Sequence, residues 1–181
     1  GEMPLRADFL LIRRDPEAEL PFPLSHLGQT TLMEFKGPDD TASQLDLQLL
    51  GIYADLYVYQ EKLAARSDLT LWLVGSHFAD KLSDSALACL DEVTDLGPGV
   101  RRAVLDRFTT YVVDLGEVPL AKEMLCFHMV SKTRERELAE FIVDRREQSR
   151  YYTTYMHMMH GPRLKEVLAM RKMTAEELGL D

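Results

Sequence analysis

The sequence predicts an α/β protein with a mixed central sheet and a helical C-terminal extension. Three stretches predict the sheet: an apolar strand pattern at 30–36, a long helical pattern at 43–66, and a continuous apolar run at 69–75. A continuous apolar run of this length is typical of a strand that is buried on both faces. A strand, a helix and a buried strand in this order form a βαβ crossover, so we expect the two strands to lie parallel in one sheet.

The helical extension is predicted from a change in character along the chain. From residue 132 the sequence is rich in charged residues, with apolar residues at helical spacing, and Gly161-Pro162 divides this stretch. We therefore expect an α/β core at 1–131 and a helical extension at 132–181. We also expect the helices of this extension to mediate contact between two copies of the chain.

Shorter patterns predict the other elements of the core. Residues 4–14 are strand-like, and three prolines at 15–29 indicate a long connection because proline has no N–H to donate within a sheet. After the buried strand we expect a short helix at 80–92 and two paired strands at 109–114 and 123–130.

The long helix is expected to begin at a cap residue, Ser43 or Thr41, and to pack one apolar face on the sheet. Apolar residues that recur at helical spacing define this face: Leu45, Leu49, Ile52, Tyr53, Leu56 and Leu63.

Composition limits the class of protein. With 46% apolar and 28% charged residues, the chain has the composition of an ordinary globular protein, and no apolar run reaches the length that spans a membrane. Cys89 and Cys126 both lie in apolar runs. We expect them to be buried free thiols in a reducing compartment, which favours a cytoplasmic location.

Charge is distributed unevenly along the chain. The net charge of −9 argues against a generally basic nucleic-acid-binding protein. Residues 122–172 nevertheless carry 11 basic and 7 acidic side chains, whereas residues 1–121 carry 10 basic and 20 acidic ones. The C-terminal third is therefore the better candidate for binding phosphate, although solvated helix faces would give the same pattern.

The strand at 30–36 brings an acid and a lysine to one surface. Side chains alternate between the two faces of a strand, so Glu34 and Lys36 point the same way, and we expect the strand at 4–14 to bring Asp8 to the same place. Two neighbouring carboxylates favour a hard divalent ion, beside which a lysine orients or helps to deprotonate water and stabilises developing charge. An ion pair between strands is the alternative interpretation.

These residues make the chain similar to the PD-(D/E)XK nuclease superfamily, whose members share a restriction-endonuclease-like αβββαβ core. Asp8 matches the strand aspartate of that family, and Glu34-Phe35-Lys36 matches its acid-x-lysine strand. The helix at 43–66 and the strand at 69–75 match the αβ unit that follows.

The resemblance extends to one branch of the superfamily. Residues 34–40, together with 49–57, resemble the transposase-associated, recombination-promoting nucleases. Three departures accompany it. Ala7 stands where the family has its proline, and the acidic N-terminal portion does not favour DNA binding. Only seven residues precede Asp8, so we expect the family's first helix to be absent or Glu2 to be its remnant. The initial Gly1 agrees with a chain that is shortened at its start.

The resemblance implies a metal-dependent DNA endonuclease, associated with mobile elements or genome defence. Asp8, Glu34 and the Phe35 carbonyl would hold Mg²⁺ or Mn²⁺, and Lys36 would be the catalytic lysine. The alternative function is a catalytically inactive nuclease-fold protein that serves as an interaction or assembly module.

Further side chains are weaker candidates. Gln44 and Gln48 would reach the site from the long helix, with a plain solvated flank as the alternative. Arg150, Tyr151 and Tyr152 are candidates for contact with nucleic acid, with packing of an amphipathic helix as the alternative.

Other catalytic patterns are absent or incomplete in the sequence. His157 and His160 have the spacing of a metal pair on a helix, but no third ligand is evident. The chain has no glycine-rich phosphate loop of the Walker or Rossmann form, and Ser76-His77 lacks the glycines of a hydrolase nucleophile turn.

Overall fold

The computed structural model describes residues 9–15, 17–62, 68–78, 89–131, 133–145 and 150–180. The chain divides into two compact units, Gly1–Val118 and Pro119–Asp181. In the described residues, the first unit contains a six-stranded mixed sheet with one helix, and the second contains three helices. The predicted mixed α/β class is therefore confirmed.

The sheet has the spatial order β1-β2-β3-β6-β5-β4. Its strands are β1 (Phe9–Arg13), β2 (Thr30–Phe35), β3 (Leu69–Gly75), β4 (Asp91–Gly97), β5 (Val100–Leu105) and β6 (Phe108–Asp114). The three central strands, β2, β3 and β6, are parallel, whereas β1 on one side and β5 and β4 on the other pair antiparallel. The carboxyl ends of the three central strands therefore lie along one edge, which we call the carboxyl edge. In open α/β sheets, such an edge is the usual place for a ligand site.

Helix α1 (Gln44–Glu61) connects β2 to β3, so the predicted βαβ crossover is confirmed. The predicted packing face of this helix is wrong for Leu45, which is 62% exposed, and for Ile52, which is 56% exposed, but is confirmed for Tyr53, which packs against the core. Leu47, Leu50, Gly51 and Ala54 are buried instead. Apolar residues occur around most of the helix, so their spacing does not select a unique face.

The part of the sheet beyond β3 differs from the prediction. Residues 79–88, which hold most of the helix predicted at 80–92, lie outside the described residues, and Asp91–Gly97 forms β4. The strand at 109–114 is confirmed as β6, but the one at 123–130 is wrong. Its residues form a 3-10 turn at Lys122–Met124 and helix α2 (Leu125–Met129). The buried residues of this helix are Leu125, His128 and Met129. They are three and four positions apart, which is the spacing of one helix face.

The second unit contains α2, α3 (Glu135–Asp144) and α4 (Arg150–Arg171). Side chains from all three helices form one core, which includes Leu125, Ile142, Met156 and Leu164. Helix α4 has a kink at His160, where the backbone is not helical. The kink lies next to Gly161-Pro162, where the sequence predicts a break in the helix. No described helix of either unit has the length and apolar content needed to cross a membrane.

A buried histidine makes the stability of the second unit sensitive to acid. His128 is 2% exposed, and burial lowers its pKa to about 4. The unfolded chain, with an ordinary pKa of 6.5, binds the proton more readily, so the contribution of His128 to stability is complete above pH 6.5 and is lost as the pH falls from 6.5 to about 4.

We expect His128→Gln to lose less stability than the wild type between pH 7 and pH 4.5, because the variant has no buried imidazole to protonate. Urea unfolding of the full chain, monitored by circular dichroism at both pH values, measures this difference. His157→Gln is the matched control, since His157 is exposed on α4. Equal pH dependence in the His128→Gln variant and the wild type would contradict the assignment.

Candidate functional site

The best-formed ionic cluster in the described residues lies where β2 reaches the carboxyl edge. Glu34 is in β2 and is only 9% exposed. Lys36 follows the strand directly, and its backbone N–H donates to the Val74 carbonyl of β3 at 2.8 Å. The predicted strand therefore places both side chains at this edge, as the alternation of strand residues requires.

Lys36 bridges two carboxylates. Its Nζ lies 2.9 Å from Oε1 of Glu34 and 2.6 Å from Oδ1 of Asp46. The exposed fractions of the three side chains are between 11% and 18%, so this is not an exposed surface ion pair. Largely desolvated charges are stable only when they are paired and hydrogen-bonded, and each member of this cluster meets that condition.

Asp46 belongs to the first turn of α1 and has a second set of partners. Its Oδ2 accepts hydrogen bonds from the N–H and the hydroxyl of Ser43, both at 2.7 Å. One carboxylate thus caps the helix with one oxygen and binds Lys36 with the other. Ser43-x-x-Asp46 has the spacing of a capping box, so the sequence contains the signal that would identify Asp46.

The cluster fixes the protonation states of its members. Burial disfavours the ammonium of Lys36, but the hydrogen bonds to Asp46 and Glu34 outweigh it and raise the pKa of the lysine. Burial likewise disfavours the Asp46 carboxylate, but hydrogen bonds from Lys36 and Ser43 lower its pKa. Both groups are therefore charged at neutral pH. A lysine held as an ammonium cannot accept a proton, so charge stabilisation is favoured over the predicted help in deprotonating water.

A glycine in the neighbouring strand leaves space for the lysine. A Cβ placed on Gly75 of β3 would lie 3.3 Å from Cβ of Lys36 and 3.7 Å from the ring of Phe78. This distance to Lys36 is tight for a carbon contact, so a larger residue here would displace the Lys36 side chain.

The carboxyl edge continues to β6, where Asp114 pairs in register with Gly75. Burial, with Glu117 nearby, raises the pKa of Asp114, although the N–H of Gly116 donates to its Oδ1 at 2.7 Å. Sequence reasoning missed Asp114, because an aspartate at the end of a strand before a glycine turn is a common pattern.

The other predicted site residues have different outcomes. Asp8 lies outside the described residues, and Phe35 ends β2. Gln44 and Gln48 are exposed on α1, and no described contact brings them to the cluster.

The predicted nucleic-acid contacts lie at the start of α4. Arg150 and Tyr151 belong to the helix, but their side chains lie outside the described part of the structure. Tyr152 packs against the core of the second unit, as in the alternative interpretation.

Half of the eight basic side chains described in the second unit are paired with acids, which reduces the positive charge that they offer to a phosphate. Four arginines pair with carboxylates: Arg134 with Glu137, Arg136 with Glu140, Arg163 with Glu166, and Arg171 with Asp144. The free thiols also differ from the prediction, since Cys126 is exposed and Cys89 is only partly buried.

The two histidines of α4 do not form a metal pair in the described structure. His157 is exposed, whereas His160 is buried. Nδ1 of His160 contacts Oε1 of Glu135 at 2.9 Å, and its Nε2 contacts the Met129 carbonyl at 2.8 Å. Both ring nitrogens are therefore used in linking α4 to α3 and α2.

Glu34 and Asp46 carry the type of ligand atom that a divalent ion needs, because Mg²⁺ and Mn²⁺ bind carboxylate oxygens. Across the described ranges, no group of three or more His, Cys, Asp or Glu side chains is placed to hold a metal ion. The third carboxylate of the prediction is Asp8, outside these ranges. In the described cluster, the cation between the two carboxylates is the Lys36 ammonium.

Comparisons with known proteins give no relative: no family model matches the chain, and no curated protein or solved structure matches it at a significant level. The site is therefore interpreted from its own residues.

We expect Asp46→Ala to destabilise the chain by about 2 kcal/mol, because both the helix cap and the partner of Lys36 are lost. Asp46→Asn should cost about half as much, since an amide oxygen still accepts from Ser43 but no longer carries charge. Urea unfolding at pH 7 measures both, with Glu61→Gln at the exposed end of α1 as the control.

The same variants test the sign of the pH dependence. Because the pKa of Asp46 is lowered in the folded state, its carboxylate stabilises the fold when the pH is above the ordinary pKa of an aspartate. This contribution is lost as the pH falls through the lowered pKa. Asp46→Asn should therefore differ less from the wild type at pH 3.5 than at pH 7. An Asp46→Asn variant as stable as the wild type at pH 7 would contradict the ion-pair assignment.

Proposed function

We propose that this chain is a metal-dependent phosphodiester hydrolase that acts on DNA and has a restriction-endonuclease-like core of the PD-(D/E)XK type. The observation that carries the proposal is the Lys36 ammonium, held between Glu34 and Asp46 at the carboxyl edge of the sheet. An acid in a strand and the lysine that follows it, next to a second carboxylate, supply oxygen ligands for a divalent ion and a positive charge for a phosphate.

The order of elements supports the proposed core. An antiparallel pair, β1 and β2, precedes α1, and α1 crosses over to the parallel strand β3. This order agrees with the last part of the proposed αβββαβ core, in which the strand of the acid-x-lysine motif is followed by a helix and a further strand. Two described strands precede α1, where that core has three. The proposed ligand Asp8 would precede β1 directly in sequence.

In the proposed reaction, Glu34 and Asp46 would hold Mg²⁺ or Mn²⁺ together with Asp8 and the Phe35 carbonyl. When bound, the ion lowers the pKa of a coordinated water and neutralises phosphate charge. Lys36 contributes a fixed positive charge: its ammonium donates hydrogen bonds to a phosphate oxygen whose negative charge increases in the transition state. Because the side chain is largely desolvated, this charge is weakly screened and acts strongly on a bound phosphate.

The carboxylates also place the lysine. Asp46 is fixed by Ser43 at the start of α1, and Glu34 is fixed in β2. Lys36 is therefore oriented by two separate elements before a substrate binds. Preorganised donors of this kind need no rearrangement during the reaction, which is the main source of electrostatic catalysis.

A second function, an interaction or assembly module without catalysis, is favoured by exposed apolar side chains. Helix α1 exposes Leu45, Ile52, Leu56 and Tyr59, the last by 82%. In the second unit Met158 is 74% exposed, which supports the proposed contact between copies through the C-terminal helices.

Nicking of supercoiled plasmid in Mg²⁺ or Mn²⁺ tests the proposed reaction. We expect Lys36→Ala and Glu34→Gln to reduce the rate by about 10²–10³-fold, as for the loss of a group that stabilises transition-state charge. Circular dichroism of each variant must show the folded protein, because Lys36→Ala leaves two carboxylates without their common partner.

Lys62→Asn is the matched control for loss of a positive charge. Lys62 is exposed and has a positive φ of 52°, a conformation that asparagine adopts readily. This variant should keep the wild-type rate. Nicking that persists in both Lys36→Ala and Glu34→Gln would exclude this site, and wild-type protein that lacks ion-dependent nicking would favour the module instead.

A further inference from the structure

A cavity of about 450 Å³ opens at the carboxyl edge, two strands away from Lys36. Its volume is within the range of small-molecule sites, which is about 300–1,000 Å³. Phe78, Val100 and Val112 form apolar walls, and four ionisable side chains line the rest: Asp95, Arg101, Asp114 and Glu117. Apolar walls with a few converging polar groups are typical of binding sites for small organic molecules.

The charges in the cavity do not balance. Asp95 of β4 lies opposite Arg101 of β5 in the sheet register, and the three lining carboxylates outnumber this one guanidinium. Asp114 and Glu117 lie in one turn, in which the Glu117 N–H donates to the Asp114 carbonyl at 3.1 Å. Burial and repulsion by the Glu117 carboxylate raise the pKa of Asp114, whereas the Gly116 N–H, Arg101 and His77 act in the opposite direction. Added positive charge would relieve this repulsion, whereas a phosphate would meet three carboxylates and one guanidinium.

The cavity is also shaped before any ligand binds. The Asp114 N–H donates to the Gly99 carbonyl at 2.7 Å, and a Cβ on Gly99 would lie 2.6 Å from the backbone oxygen of Asp114. Oδ1 of Asp114 is held by the N–H of Gly116. Asp114 is thus held by two glycines, Gly99 at its backbone N–H and Gly116 at its carboxylate, which lowers the entropy lost on binding.

We propose that this cavity binds a small organic cation: an alkylammonium or guanidinium group on an apolar stem. The cationic group lies against Asp114 and Glu117, and the stem lies along Phe78 and Val112. The ring of Phe78 adds attraction, because aromatic faces attract organic cations. This site is separate from the proposed phosphodiester chemistry and does not depend on it.

Calorimetric titration of the full chain with agmatine, which carries both cationic groups on an apolar stem, tests the proposal. We expect saturable binding of agmatine, at least tenfold tighter than binding of pentanamide, a neutral molecule of similar length. Inorganic phosphate should not bind at this site or compete with agmatine. Tighter binding of phosphate or of pentanamide, or no saturable binding of agmatine at millimolar concentration, would overturn the proposal.

Variants locate the site. Asp114→Asn should weaken agmatine binding at least tenfold while its amide oxygen still accepts from Gly116, and Glu117→Gln should weaken it several-fold. Asp91→Asn, an exposed carboxylate on β4 that does not line the cavity, should bind as the wild type does. Agmatine binding is measured without DNA or a divalent ion, so failure of this site is separate from failure of the nuclease proposal. Unchanged binding in Asp114→Asn would place the cation elsewhere.

Discussion

The pairing of Lys36 with two carboxylates is the interaction on which the carboxyl edge of this sheet depends. Removing three charged groups from water costs several kcal/mol for each ion unless the charges are compensated. Compensation here involves two elements, because Glu34 comes from β2 and Asp46 from the first turn of α1. The lysine therefore links the end of a strand to the start of the helix that crosses over to the next strand.

The parallel centre of the sheet explains why both the ionic cluster and the cavity lie at the carboxyl edge. In the parallel centre of the sheet, the strands β2, β3 and β6 end side by side, and the residues that follow them are brought together. Lys36 follows β2, while Asp114 closes β6 beside Gly75 of β3. The ionic cluster and the acidic cavity are thus two consequences of one topology. In the ionic cluster Lys36 already lies between two carboxylates, whereas the cavity has an excess of carboxylates over its one arginine, so the two sites suit different ligands.

The crossover could be predicted from sequence, since the apolar run at 69–75 is typical of a buried strand. The position of the candidate site could also be predicted, because Glu34 and Lys36 are two residues apart and therefore share one face of an extended segment. Asp46 could also have been found from its capping spacing with Ser43.

The buried face of α1 could not be predicted, because tertiary contacts select Leu47 and Leu50 from apolar residues on several sides. Residues 123–130 suit a strand or a helix by composition, and the spacing of the buried residues decides for the helix. Glu34 and Lys36 predict where the candidate site lies. The protonation state of Lys36 depends in addition on Asp46, a partner from a different element.

The central claim is that the Lys36 cluster is the place where a divalent ion and a phosphodiester meet. Paramagnetic broadening of backbone amide signals by Mn²⁺ tests it without reference to activity. Substoichiometric Mn²⁺ should broaden the signals of Glu34, Lys36 and Asp46 first, and excess Mg²⁺ should restore them. Broadening that spares these residues, or that follows only the exposed carboxylates of β4, would contradict the account.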